Sequence, residues 1–236
     1  MPMAALMRSL LVLHATAGSI AFVFAPLALM TAKGGPAHRR WGKIYFWMMT
    51  VVASTALVLA PYKRNYFLTL VAVFSFYAAF SGYRVLFRKR PLQGQGPKFF
   101  DWFAAIFTFM ASTLLFLFGL FKPPVVGHMG VVSVVFGAIG MFLGFSDLRT
   151  FWQPPADKNF WWFSHMGGMI GSYIAALTAF SAVTLSRFLG SSLLVWLWPT
   201  AIGVPGLIVW IIYYKRKFSR KTEKQMSVSS VPGGAR

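Results

Sequence analysis

The 236-residue chain has no cysteine and only four carboxylates. The absence of cysteine excludes disulfides, thiolate metal sites and iron–sulfur clusters. Charged residues make up 11% of the chain, whereas soluble domains carry about 25%. With so few polar side chains to cover a globule in water, the composition indicates a membrane protein with several spans.

The chain is rich in hydrophobic residues, which make up 57% of it, and its mean hydropathy is +0.63. A membrane span needs about 20 consecutive apolar residues. Seven stretches meet this requirement: Leu10–Met30, Ile44–Ala60, Phe67–Leu86, Phe99–Phe121, Gly127–Phe145, Phe160–Thr184 and Leu193–Tyr214. We therefore predict an all-α fold, with a single seven-helix transmembrane domain over residues 1–214.

The distribution of the 23 lysines and arginines predicts the topology. Eighteen of them lie in the first, third and fifth loops and in the tail, and five lie on the other side. By the positive-inside rule, the N-terminus lies outside and the C-terminus lies in the cytoplasm. The expected location is a bacterial inner membrane. Because the basic residues sit between apolar runs, the net charge of +19 does not indicate nucleic-acid binding.

The C-terminal segment is strongly basic, which leads us to predict a disordered cytoplasmic tail over residues 215–236. Two interpretations of its charge stay open. The basic residues could bind anionic lipid head groups, or they could serve only as the flank that fixes the orientation of the last helix.

Four histidines are the only imidazoles in the chain, at His14, His38, His128 and His165. A titratable ring in hydrocarbon is costly, so an intramembrane histidine indicates a functional site. With the predicted topology, His38 and His165 lie toward the cytoplasmic face, where Asp147 ends the fifth helix. His14 and His128 lie toward the outer face, with His14 the deeper of the two.

Structural explanations also exist for these residues. His38 and His128 could be ordinary interfacial residues, and His14 and His165 could donate to a carbonyl of a neighbouring helix. Asp147 could pair with Arg149. We interpret Asp101, in the first turn of the fourth helix, as a partner of the helix dipole.

Small residues at four-residue spacing predict close helix packing. Gly167 and Gly171 form such a pair in the sixth helix, and Gly140 and Gly144 form one in the fifth. Glycines one turn from His165 would also leave room for a flat macrocycle, which is the second interpretation of the pair in the sixth helix.

Two segments carry a family resemblance. They are Gly34–Tyr45, which reads GGPAHRRWGKIY, and His165–Phe180, which reads HMGGMIGSYIAALTAF. They resemble a family of bacterial membrane proteins defined by a domain of unknown function. The family pattern includes a K-G-x-x-H-R-x-x-G-x-x-Y motif and an H-M-x-x-M helix ending in T-A-F. Positions 14, 38, 147 and 165 fall on its characteristic residues, and the resemblance covers about residues 10–182. It implies the fold and the residue set without supplying an activity.

Two classes of function compete. In the first, the protein is an electron-transfer protein that binds haem b noncovalently, because neutral imidazoles are axial ligands of haem iron. His38 with His165, and His14 with His128, would hold two haems across the membrane. One haem between His14 and His165 is the simpler version. A quinone or other redox partner is then expected.

In the second class, His38, Asp147 and His165 bind zinc or non-haem iron and form a membrane hydrolase, because two imidazoles and a carboxylate with an open position suit that chemistry. This arrangement is similar, in architecture only, to seven-helix hydrolases of the ceramidase and adiponectin-receptor type. A proton-coupled transporter that uses the same side chains as relays is the third interpretation.

Overall fold

Apolar runs of membrane length must fold into helices, because hydrocarbon offers no partner for a free backbone N–H or C=O. The computed structural model describes residues 2–121, 128–190 and 192–229. Within these ranges it contains no strand and seven helices that are long and apolar enough to cross a membrane. The helices are α1 (Pro2–Met30), α2 (Pro36–Tyr62), α3 (Tyr66–Arg84), α4 (Phe99–Phe121), α5 (His128–Trp152), α6 (Phe160–Thr184) and α7 (Leu193–Ser229). The predicted all-α, seven-helix, multi-pass fold is confirmed.

The ends of some helices differ from the prediction. Helix α7 continues past Tyr214 to Ser229, through the first part of the segment for which we predicted disorder. Lysine, arginine, glutamate and glutamine are good helix formers, so this polar sequence extends a helix already nucleated in the apolar part. Residues 230–236 and the predicted start of the fifth span at Gly127 lie outside the described residues.

Local signals start the second and third helices. Pro36 occupies the first turn of α2, where its missing N–H costs nothing. The side chain of Asn65 caps α3 by accepting a hydrogen bond from the backbone N–H of Leu68 at 3.1 Å. Between these helices Arg64 has a φ of 54°, which reverses the chain within a few residues.

Helix α3 lies at the centre of the bundle, where it packs against α2, α4, α5 and α6. Helix α1 packs mainly on α2, α4 on α5, and α7 on α6. The outer faces carry large apolar side chains, such as Phe107, Leu114 and Leu194, which are 50%, 62% and 71% exposed. In a membrane protein these side chains face lipid.

The predicted close packing is confirmed for the glycine pair of α5 and wrong for that of α6. Gly140 and Gly144 of α5 lie against α4, as the small-residue spacing indicates. Gly167 and Gly171 have no neighbour within 4 Å of an added Cβ among the described residues. Gly168 makes the close contact instead, since an added Cβ there would lie 2.7 Å from the Cα of Gly82 in α3.

Candidate functional site

His38 and His165 lie side by side at one end of the bundle. His38 is in the first turn of α2, and His165 is near the beginning of α6. The centroids of the two rings are 6.2 Å apart, and the ring planes are at 79° to each other. Both residues are half-buried. Two imidazoles that are 127 positions apart in the sequence therefore meet in one place.

A backbone carbonyl orients each ring. Nδ1 of His38 donates to the carbonyl of Ala28 in α1 at 2.9 Å, and Nδ1 of His165 donates to that of Gly82 in α3 at 2.7 Å. A carbonyl oxygen only accepts, so the proton of each neutral ring is on Nδ1. The unprotonated Nε2 of both rings is then free to bind a metal, and a carbonyl bond to the other nitrogen is the usual support for such a ligand.

A cleft opens beside the two rings, between α1, α2 and α6. The space in it that a water-sized sphere can reach measures about 50 Å³. A water molecule needs about 10–15 Å³ by this measure, so the cleft has room for a few water molecules. The lining residues are Ala25, Ala28, Leu29, His38, Gly42, Tyr45, His165, Met169, Ile170 and Tyr173.

The lining is apolar apart from the two imidazoles and two tyrosines. Gly42 lies one turn after His38, and a Cβ added to it would meet nothing within 4 Å among the described residues. The cleft is therefore open beside the His38 ring, where a larger side chain would fill it.

Beyond the imidazoles, the hydroxyls of Tyr45 and Ser172 are 2.6 Å apart and fully buried. We did not predict this pair from the sequence. Tyr45 follows His38 by seven residues, and Ser172 follows His165 by seven, which is two helical turns in each case. The repeated histidine-to-hydroxyl spacing is the signal that would have placed both hydroxyls on the same faces as the rings.

Two lysines contact residues that line the cleft or lie one turn from it. Nζ of Lys33 donates to the carbonyl of Leu29 and lies 5.8 Å from the centroid of the Trp210 ring. Partial burial lowers the pKa of the Lys33 ammonium below its usual range. Nζ of Lys89 lies 4.4 Å from the ring centroid of Trp161, which is one turn before His165.

His14 occupies a different part of the bundle. Its Nδ1 lies 3.1 Å from the carbonyl of Val52 and 2.9 Å from the hydroxyl of Thr55, both in α2. His14 precedes Ala28, the partner of His38, by 14 residues, or about 21 Å along α1 at 1.5 Å per residue. The structure thus does not bring His14 to His165, as one haem between them would require. His128 begins α5, but its side chain lies outside the described residues.

Asp147 has hydrogen-bond partners of its own in α3. Its Oδ2 accepts hydrogen bonds from the hydroxyls of Tyr77, at 2.6 Å, and Ser81, both in α3. Among the residues with described positions, no three histidine, aspartate or glutamate side chains group closely enough to hold a metal ion. His38, Asp147 and His165 therefore do not form a three-ligand set.

A buried ion pair joins α3 to α4. The guanidinium of Arg84 binds Asp101 through two bonds of 2.9 Å, and Asp101 also accepts from the backbone N–H of Lys98 at 2.8 Å. Asp101 thus acts at the start of α4, as we predicted, and neutralises Arg84 as well. Arg88, which the sequence places in a loop, is only 6% exposed and lies 4.6 Å above the Phe151 ring.

Comparison with protein-family models, with curated proteins and with solved structures finds no match for this chain. The resemblance to a bacterial membrane family therefore stays a prediction based on the two sequence segments. The functional interpretation depends on the geometry of the histidine pair.

Proposed function

We propose that this protein is a b-type haem protein of the membrane that transfers single electrons, and that His38 and His165 are the residues that would hold the haem. The observation that carries the proposal is the 6.2 Å separation of the two ring centroids. With metal–nitrogen bonds of about 2.0–2.1 Å, rings at this separation would be close enough for both to bind one metal atom.

The number of ligands separates haem from the alternative metal sites. A catalytic zinc site uses three protein ligands and one open position, whereas a haem macrocycle supplies four nitrogens and needs only the two axial ligands from the protein. The described residues offer two imidazoles with free Nε2 atoms and no third ligand beside them. This set favours haem over zinc or non-haem iron and gives no support to the hydrolase.

The cleft is apolar, as a haem site must be, but a macrocycle is larger than the space it holds, so α1, α2 and α6 must separate to admit one. Its walls include Ala25, Ala28 and Met169, and it is open beside Gly42. When bound between two imidazoles, haem supplies one-electron chemistry, because the iron has no open position for a substrate. The protein's part would be to fix both rings through the carbonyls of Ala28 and Gly82.

The absorbance spectrum of the purified protein tests this proposal. We expect protein produced with added haem to show a Soret band and, on reduction, sharp α and β bands of a six-coordinate haem. His38→Ala and His165→Ala should each lose this spectrum, and His38→Gly should recover it with added imidazole. His14→Ala is the matched control for the cytoplasmic pair and should keep the bands of the haem at His38 and His165. A colourless protein that also fails to bind added haem would refute the proposal, as would a full spectrum in both histidine variants.

A second haem held by His14 and His128 stays a prediction. His14 also presents Nδ1 to a carbonyl, so its Nε2 is free in the same way. A second haem there requires His128. A haem-to-protein ratio of two, falling to one in His14→Ala, would support it.

The orientation, with the N-terminus outside, and the location in a bacterial inner membrane belong to the proposal as well. They are supported by the bias of basic residues toward one side of the seven helices. In this orientation the His38–His165 pair lies at the cytoplasmic end. A quinone or another membrane redox partner is the expected exchange partner for the electron.

A further inference from the structure

We propose that Arg88 binds the phosphate group of a membrane phospholipid at the end of the bundle where α3 ends and α4 begins. Arg88 does not line the histidine cleft, so this inference is independent of the haem. It is carried by a guanidinium that is buried, charged and without a hydrogen-bond partner in the described part of the chain.

The Arg88 side chain is buried next to an aromatic ring. It follows the short 3₁₀ turn Val85–Phe87 that ends α3. Only 8% of the side chain is exposed, and the guanidinium carbon lies 4.6 Å from the centroid of the Phe151 ring in α5. Nε is fully buried, and none of the described residues accepts a hydrogen bond from it. A guanidinium carries five N–H donors and keeps its charge, so burial without an acceptor is costly.

Neither nearby carboxylate supplies that acceptor. Nε of Arg88 is 4.0 Å from Oδ1 of Asp101, which is too far for a hydrogen bond. Both oxygens of Asp101 already accept from Arg84, and Oδ2 also accepts from the backbone N–H of Lys98. Asp147 interacts with Arg88 electrostatically but forms no ion pair of 4.0 Å or less with it. The described residues thus offset the charge of Arg88 and leave its N–H groups without acceptors.

Arg88 lies where lipid head groups are expected. It is the first residue after the third membrane-length segment, which ends at Phe87. Trp102, in the first turn of α4, and Trp152, the last residue of α5, have ring centroids 5.3 Å apart, and the Trp102 ring also contacts Phe151. Trp152 is 73% exposed. Tryptophan is enriched at the membrane–water interface, so these rings indicate the depth of the phosphate layer.

A phosphate at this depth suits the chemistry of the site. Guanidinium binds phosphate through paired, charge-assisted hydrogen bonds, and the lipid needs to reach only the small exposed part of the side chain. Free phosphate offers the same oxygens. The position at the end of a membrane-length segment, beside an exposed tryptophan, favours a lipid as their source.

A comparison of phosphatidylglycerol with diacylglycerol tests this inference, because both carry the same acyl chains and only the first has a phosphate. Each lipid is titrated into delipidated protein in a neutral detergent. The midpoint of thermal unfolding is measured, since a ligand that binds only the folded state raises it. The variant is Arg88→Met, whose apolar side chain can still pack on Phe151. The matched control is Arg40→Met, because the Arg40 guanidinium also lies over a ring, that of Trp41 at 5.5 Å, but is exposed.

We expect phosphatidylglycerol to raise the midpoint of the native chain and of Arg40→Met more than diacylglycerol does. Arg88→Met should bind phosphatidylglycerol about tenfold or more weakly, the effect of one hydrogen bond to a charged group, and diacylglycerol as before. Without lipid, its midpoint should not fall, because the lost donors had no acceptor and Arg84 still neutralises Asp101. Arg88→Lys keeps the charge without the paired geometry and should have an intermediate affinity.

Three results would overturn the inference. An unchanged preference for phosphatidylglycerol in Arg88→Met would show that other basic residues bind the lipid. A lipid-free midpoint of Arg88→Met as low as that of Asp101→Ala would show that Arg88 serves only the internal ion pairs. Equal stabilisation of the native chain by inorganic phosphate, added without lipid, would assign the site to a free anion.

Discussion

The carbonyl of Gly82 accepts the hydrogen bond from Nδ1 of His165 at 2.7 Å, at the point where α3 and α6 approach most closely. One residue therefore serves two purposes. Its lack of a side chain lets the helices meet, and its backbone oxygen fixes the tautomer and the direction of the ring. The packing of α3 on α6 and the geometry of the histidine pair depend on the same contact.

Gly82→Ala should destabilise the protein and disturb the His165 ring together. An added Cβ would lie 2.9 Å from the backbone nitrogen of Met169 and 3.1 Å from the Cα of Gly168, so the helices must separate. Overpacking of this kind costs about 1–3 kcal/mol, measured as free energy of unfolding in mixed micelles. Gly167→Ala is the control, because its Cβ meets nothing within 4 Å among the described residues. Equal stability of the two variants would contradict the close contact.

Asp101→Ala should be among the most damaging single substitutions at the α3–α4 junction. Asp101 is 2% exposed and neutralises Arg84 through two hydrogen bonds. The expected loss is about 1–3 kcal/mol, below the about 3–5 kcal/mol of a fully buried pair, because the Arg84 side chain is 23% exposed and can reach solvent. The exposed Asp157 offers a control as Asp157→Ala. Thermal unfolding of both variants in detergent measures the difference, and a loss below about 1 kcal/mol for Asp101→Ala would argue against the pair.

Tyr77→Phe should weaken the attachment of α5 to α3. The Tyr77 hydroxyl donates to Oδ2 of Asp147 at 2.6 Å, and its loss leaves Ser81 as the remaining donor to that carboxyl group. The expected cost is about 1–3 kcal/mol. Tyr83→Phe is the matched control, because the Tyr83 ring stacks on Phe46 at 4.2 Å and the described residues give its hydroxyl no partner. The prediction fails if the two variants unfold at the same denaturant concentration.

The absence of native cysteine allows a direct test of orientation. Lys63→Cys places a thiol in the loop between α2 and α3, and Gln95→Cys places one in the loop between α3 and α4; both positions are exposed. With the N-terminus outside, an impermeant maleimide added to intact cells should label position 63 and spare position 95. The reverse pattern would invert the topology. Labelling of both after cell lysis is the control for reactivity.

The sequence could predict the fold, because apolar length is a property of each segment on its own. It predicted seven helices of membrane length, and the described part of the chain contains seven such helices. The sequence did not predict which residues of a helix contact its neighbours. Gly167 and Gly171 have the spacing of a packing pair, yet the contact falls on Gly168, because the rotation of α6 about its axis is set by the helices around it.

The candidate site was also predicted only in part from the sequence. Residue type and cost in hydrocarbon were enough to select His14, His38, His165 and Asp147 as the side chains that need an explanation. Sequence could not say that Asp147 binds Tyr77 and Ser81, nor that Tyr45 meets Ser172 below the rings. These partners are far apart along the chain, so their meeting depends on which helices are neighbours.

By itself, the sequence determined the membrane class, the seven helices and the few polar side chains placed among them. The tertiary structure alone decided that Gly82 orients His165 and that His38 and His165 form a pair, with Asp147 elsewhere. The physical reason is that hydropathy is summed along one segment. A hydrogen bond or a ligand pair instead requires particular faces of two or three helices to meet at the same depth.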